Sequence, residues 1–226
     1  MIRIEKGKEP RSLTEYKMQE NASFQDLPIN VKNDIRLHLL KEQGYLCAYC
    51  MRRIHQDSMK IEHFMPQSTI SGKEALEYNN LLGVCWGGSK HKKRDSNCDS
   101  QKNDDPRELT CDSKKGNTRI IADPRDQRVI DKIEYKHDGT IYSKDDKINA
   151  DLNVALNLNS MDHALPGNRR AAYRRVMKEI KSDKTNSFQD ASIRKVICKY
   201  SSFQSNGEKY EYAGCILYFL NRRLRD

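Results

Sequence analysis

The stretch best equipped for chemistry is Ile61-Glu62-His63-Phe64-Met65-Pro66. A carboxylate beside an imidazole supplies a hard metal ligand and a base that titrates near neutral pH, the two parts needed to direct water onto a phosphodiester. An isolated Glu-His pair is common and reads as a surface acid next to a half-buried histidine. Here its surroundings raise it. Cys47-Ala48-Tyr49-Cys50 stands before it, Asn80-Leu81 and Cys85 follow, and Cys98-Asp99-Ser100-Gln101-Lys102 places an acid three residues ahead of a lysine.

Cys47 and Cys50 bring two thiols onto one tight turn, and a tetrahedral zinc site needs a second pair, for which Cys85 and Cys98 are the candidates. A redox motif is the duller alternative, but thioredoxin-like pairs sit in a βαβ pattern that this chain lacks. Twelve residues between Cys85 and Cys98 is long for a knuckle, so Cys111 or His91 could replace one ligand. Cys198 and Cys215 fall in apolar helical stretches and read as small buried hydrophobes. Asp99, at the head of a short helix, can meet Glu62 and leave room for Mg²⁺ or Mn²⁺ with water and phosphate. The duller reading of Asp99 is an acid that favours a helix N-terminus. In a strand Glu62 and His63 point to opposite faces unless the backbone bends, and Pro66 makes a bend plausible nearby.

These residues must be positioned by the rest of a 226-residue chain, long enough to bury a core without staples. Apolar residues at Val31, Ile35, Leu39 and Leu40 predict a helix that stops at Gly44 and delivers the chain to Cys47. Residues 51–54 and 60–63 read as two short strands around Gln56-Asp57-Ser58, and 98–104 as a helix stopped by Pro106, together a ββα unit. Residues 118–143 look extended, with Asp138-Gly139 as a hairpin turn. Helices take over from Asp151, one of them apolar at Tyr173, Val176, Met177 and Ile180, and another running over 212–224.

The chain carries a net charge of +9, and residues 169–226 hold fourteen Lys and Arg against six Asp and Glu. Such an excess favours a polyanionic partner, although it is often only a solvated surface. Lys90, Lys92, Lys93 and Arg94 in a basic loop, and Arg170, Arg174 and Lys178 on one helix face, are the candidate phosphate contacts. No window approaches eighteen apolar residues and no signal-peptide core opens the chain, so the expectation is a cytoplasmic protein without a membrane span. Seven cysteines in that compartment point to metal, not disulfides. Residues 1–30 hold too few apolar side chains for a core of their own and should gain structure by docking on a partner.

Cys-x-x-Cys, Glu-His-x-x-Pro, Asn-Leu and Cys-Asp-x-x-Lys together resemble an HNH endonuclease of the ββα-metal group. The resemblance implies His63 as general base and Glu62 and Asp99 as ligands of the catalytic metal, with Asn103 as a substitute ligand. Asn80 would fill the middle asparagine, ahead of its rival Asn79, and Lys102 would be the trailing lysine near the phosphate. A narrower resemblance, carried by Lys6-Gly7 through Tyr16, the nuclease centre and Leu156-Asn157-Leu158-Asn159, is to the HNH subunit of Septu-type anti-phage systems, also found as a retron effector. It implies an ABC-type ATPase as partner and, in the retron setting, a reverse transcriptase with its multicopy single-stranded DNA.

The expected fold is α+β: a ββα-metal HNH core with a structural four-cysteine zinc site over residues 31–145, an N-terminal partner-binding arm over 1–30 and a basic helical extension over 146–226. The expected activity is hydrolysis of nucleic-acid phosphodiesters, DNA by default and RNA not excluded. The rival is a zinc-bearing nucleic-acid-binding or scaffold subunit without catalysis, which would have no need of Glu62, His63 and Asp99 together.

Overall fold

A computed structural model describes residues 1–88, 105, 107–182 and 190–224. Among these, helices α1 (Arg11–Lys17) and α2 (Ile29–Gln43) lead into strand β1 (Met59–His63), three short 3-10 turns and strand β2 (Leu81–Cys85). Short helices α3 (Cys111–Lys115) and α4 (Gln127–Ile130) follow, then strands β3 (Ile133–Tyr135) and β4 (Ile141–Ser143), and α5 (Asp146–Ala150), which runs on into a π-helical turn over Asp151–Ala155. Three longer helices, α6 (Leu165–Ser182), α7 (Asp190–Ser201) and α8 (Ala213–Arg223), close the described chain. The architecture is mixed α and β with two small sheets.

Helix α2 forms where the apolar spacing predicts it: Val31, Ile35, Leu39 and Leu40 are buried on one face. Gly44 ends it with φ of 60° and returns its N–H to Lys41. A Cβ at Gly44 would press on the Lys209 backbone and side chain, so glycine is needed there twice over. Buried Gln43 then clamps the next elements. Its amide donates to Leu46 O and Gly83 O, both at 2.7 Å, and accepts from Gly83 N at 2.7 Å. The end of α2 is thereby tied both to the turn that carries Cys47 and to the middle of β2.

The first sheet is not the hairpin expected over 51–54 and 60–63. Residues 51–54 contribute only an isolated bridge, Leu46 with Arg53, while β1 pairs antiparallel with β2 in the register Glu62 opposite Leu82 and His63 opposite Leu81. The reason is compositional. Met51-Arg52-Arg53-Ile54 has one strong strand former, whereas Leu81-Leu82-Gly83-Val84-Cys85 is buried throughout and has an apolar run to contribute. The second sheet matches expectation at its turn, since Asp138-Gly139 joins β3 to β4. Ile120-Ile121 lies outside any strand and Val129-Ile130 is in α4.

One apolar core runs from Met1 and Ile4 through Leu13, Tyr16, Ile35, Tyr49, Leu82 and Leu152 to Phe219. Leu13 and Tyr16 are therefore buried on their own chain, and the N-terminal segment is further held by Lys6–Glu42 at 2.8 Å and Ile4 N–Pro124 O at 2.9 Å. Helices α6, α7 and α8 add a smaller cluster around Val176, Ile180, Ile193, Tyr200, Ile216 and Leu220. Cys215 is buried as expected. Cys198 is exposed, because it sits on the outer face of α7. The Asn157 and Asn159 side chains serve the backbone: Asn157 donates to Leu109 O at 2.9 Å, and Asn159 donates to Ile141 O and accepts from Ile141 N, both at 2.9 Å.

Candidate active site and zinc centre

Cys47 and Cys50 lie on the turn after α2, Cys85 ends β2 and Cys111 opens α3. Their four Sγ atoms all lie within 4.8 Å of one another, and all four residues are buried. The Cys47–Cys111, Cys50–Cys85 and Cys85–Cys111 separations are 3.8, 3.7 and 3.7 Å. Thiolates placed about 2.3 Å from a central zinc form a tetrahedron with edges of about 3.8 Å, so spacing and donor chemistry both fit structural zinc. The Cys47 sulfur, then those of Cys50 and Cys85 and burial, push the Cys111 thiol well above its ordinary range. Four buried sulfurs in that space can ionise together only around a cation.

Among the described residues the fourth sulfur is Cys111, the alternative that the sequence left open, and Cys98 lies outside the described residues. Three features bring Cys111 in. Thr110 N donates to Gly87 O at 2.8 Å, Cys111 N donates to Leu156 O at 2.9 Å, and a Cβ on Gly87 would collide with the Thr110 carbonyl. Cys111 itself adopts φ of 53°, a left-handed conformation that a side chain disfavours and that persists only when the surroundings fix it.

Because Cys111 opens α3, the helix places its next residues against β1. Lys115, with its side chain fully buried, meets Glu62 at 2.7 Å and donates to His63 O at 3.2 Å. The Asp112 carboxyl is within hydrogen-bonding reach of Glu62. Lys60 holds Asp112 from the other side at 3.1 Å and reaches Ser113 Oγ at 2.8 Å, while Ser113 donates to Trp86 O at 2.8 Å. Tyr49, buried between the two knuckle cysteines, donates to Glu62 Oε1 at 3.3 Å. Burial, then Asp112, pushes the Glu62 carboxyl up to about 8 against the pull of Lys115. Burial also works against ionised Asp112, but Glu62, Lys60 and Lys115 outweigh it and leave Asp112 below the usual carboxylate range. Buried Glu62 and half-buried Asp112 are hard oxygen donors, and such donors fit magnesium or manganese better than a thiophilic ion.

His63 turns to the other side of β1. Its Nε2 is 2.8 Å from Ala75 O and its Nδ1 3.0 Å from Gln67 Nε2, a pattern satisfied when Nε2 carries the proton and Nδ1 accepts. Phe24 packs edge-on to the ring with centroids 4.3 Å apart. Burial pushes the imidazole below its ordinary range, which leaves it neutral and basic in form. Asn80 does not face the carboxylates. Its side chain accepts from Met65 N at 2.7 Å and donates to Met65 O at 3.1 Å, pinning the turn that follows His63. Asn79 has its carbonyl on Arg125.

Asp99, Lys102, Asn103, His91, Lys90, Lys92, Lys93 and Arg94 lie outside the described residues. Beside Glu62 the described residues place Asp112 and Lys115. A signal for them was present: Cys-Asp-Ser-x-Lys occurs twice, as Cys98 to Lys102 and as Cys111 to Lys115. Spacing alone does not choose between two copies thirteen residues apart. Gln67 and Tyr49 were missed because neither belongs to a recognisable pattern. Arg170, Arg174 and Lys178 are exposed on α6, as is Arg175, while Arg169 is buried and donates to Gly139 O at 2.6 Å and Leu158 O at 2.8 Å.

No protein-family model matches the chain. A stretch of 100 residues is 35% identical to an Escherichia coli protein named "Retron Ec83 putative HNH endonuclease", covering 39% of this chain and 39% of that relative. No helix among the described residues is long and apolar enough to cross a membrane.

Proposed function

We propose that the protein is a metal-dependent HNH-type endonuclease whose ββα unit is β1, β2 and α3. The observation that carries the reading is that one helix supplies both a sulfur to the four-cysteine cluster and, from the adjacent residue, a carboxylate to Glu62. The partial likeness to a retron-associated HNH protein supports the same class. Glu62 and Asp112 would hold Mg²⁺ or Mn²⁺, which when bound stabilises charge developing on the phosphate and the leaving oxygen. His63 is the proton acceptor: its Nδ1 lone pair, at present satisfied by Gln67, takes a proton from the attacking water once Gln67 swings aside. The Ala75 carbonyl fixes the ring, and Asn80 fixes the turn, so His63 is the catalytic residue and Asn80 a positioning one.

DNA is the default substrate of this class, with structured RNA as the competing one, and the exposed arginines of α6 together with the 90–94 basic run would grip phosphates. The finer reading is that of a toxic effector in a Septu-type anti-phage system, acting in the cytoplasm with an ABC-type ATPase and, in a retron, a reverse transcriptase and its multicopy single-stranded DNA. In that setting residues 1–30 serve the partner, 31–145 the chemistry and 146–226 the nucleic acid.

The test is cleavage of plasmid, single-stranded DNA and total RNA with Mg²⁺, Mn²⁺ or EDTA, by wild type, His63→Ala, Asp112→Asn and Asp99→Asn, each alone and with any co-purifying partner. Cleavage lost by at least about 100-fold in His63→Ala and Asp112→Asn, with Asp99→Asn close to wild type, is the expected result. Full activity of folded Asp112→Asn refutes the assignment of the second motif.

A further inference from the structure

Charge at the carboxylate centre is already balanced by the chain itself. Glu62 and Asp112 face two ammonium groups, Lys115 at 2.7 Å from Glu62 and Lys60 at 3.1 Å from Asp112. The two lysines are not equivalent. Lys60 keeps a quarter of its side chain in solvent and leans on the Trp86 ring, with Nζ 5.2 Å from the ring centroid. Lys115 has none of its side chain exposed, and its Nζ bridges the Glu62 carboxylate and the His63 carbonyl. A charged amine held by an acid and a backbone oxygen is coordinated much as a small hard cation would be, by oxygens alone. A buried ammonium is costly unless paired, so this one stays only while Glu62 is its partner.

A divalent cation brought to Glu62 would meet a positive charge in the same seat, and the two would repel strongly because the Glu62 and Lys115 side chains are buried. Lys115 is the last residue of the five-residue α3, and its flexible four-carbon stem lets the ammonium move while the helix backbone stays in place. Resting on the nuclease reading above, we propose that Lys115 is a built-in plug for the catalytic cation seat: its ammonium occupies the Glu62 carboxyl oxygen at rest and must leave it for the divalent metal to bind. The centre would then be safe without metal and would release a cationic side chain into the site when the metal arrives.

Two measurements on the full-length, zinc-loaded protein test this. The first uses wild type and an amine-acetylating reagent, reading Lys115 by mass spectrometry with and without Mn²⁺, with exposed Lys178 as the internal standard. Lys115 should be protected without Mn²⁺ and acetylated about tenfold faster at saturating Mn²⁺, as its pairing with Glu62 is replaced. The second is Mn²⁺ titration by electron paramagnetic resonance in Lys115→Gln, which keeps an amide to meet Glu62 and His63 O but carries no charge. Its affinity should rise by about tenfold when a competing charge is removed. Mn²⁺ that binds wild type, is lost in Asp112→Asn, and leaves Lys115 protected overturns the plug while the nuclease reading stands. Unchanged or weaker binding by folded Lys115→Gln does the same. Absence of any Mn²⁺ site dependent on Asp112 overturns both.

Discussion

Two cation-ready centres meet at α3 and differ in almost every physical respect. The sulfur cluster is four identical soft donors, all within 4.8 Å of one another, buried and built from three separate segments. The carboxylate centre has two hard donors from different elements, two lysines and a tyrosine hydroxyl, with His63 on the next residue turned to the other side of β1. A closed set of four ligands leaves no coordination position for a substrate and can only hold structure, whereas two acids leave room for water and phosphate. The lesson lies in the shared helix. Cys111 and Asp112 are adjacent, so a metal held by the four sulfurs would fix where the Asp112 carboxylate stands.

The comparison breaks most visibly at the sulfur end. Cys111→Ser should lose zinc and most of the folded protein, since zinc contributes on the order of 10 kcal/mol to small folds built around it. Cys98→Ser should keep both. Zinc content by mass spectrometry and a melting curve decide it, and equal zinc loss in the two variants would contradict a cluster completed by Cys111.

The link between the centres is sharpened by Tyr49→Phe, which removes the hydroxyl on Glu62 and leaves the knuckle cysteines in place. A hydrogen bond to a charged acceptor is worth about 1.5–3 kcal/mol. Mn²⁺ affinity or cleavage should therefore change by roughly tenfold or more with zinc content unaltered. A variant that binds Mn²⁺ and cleaves as wild type shows that the two centres share only a backbone.

The smallest effect is expected where neither centre is touched. Reversing Arg170, Arg174 and Lys178 to Glu on α6 should weaken nucleic-acid binding on every sequence alike and lower the salt slope by about one for each phosphate no longer gripped. Zinc content and Mn²⁺ affinity should stay put. An unchanged slope with loss of a co-purifying protein instead assigns this face to a protein partner.

What the sequence determined by itself is mostly local. Helix α2 and its Gly44 stop, the Asp138-Gly139 turn, the apolar α8 and the first three cysteines follow from spacing and from residue types that act over a few neighbours. The Glu62-His63 pair stood out in the sequence only through its frame of cysteines, since an acid beside a histidine is common by itself. Which strand pairs with β1, the place of Cys111-Asp112-Ser113-x-Lys115 beside both centres, and what fills the two ring nitrogens of His63 were decided by the tertiary structure. These depend on closing loops of tens of residues, where a partner is chosen by the Gly87–Thr110 contact, the Cys111–Leu156 hydrogen bond and the clamp of Gln43 on β2, none of which leaves a periodic trace in the chain.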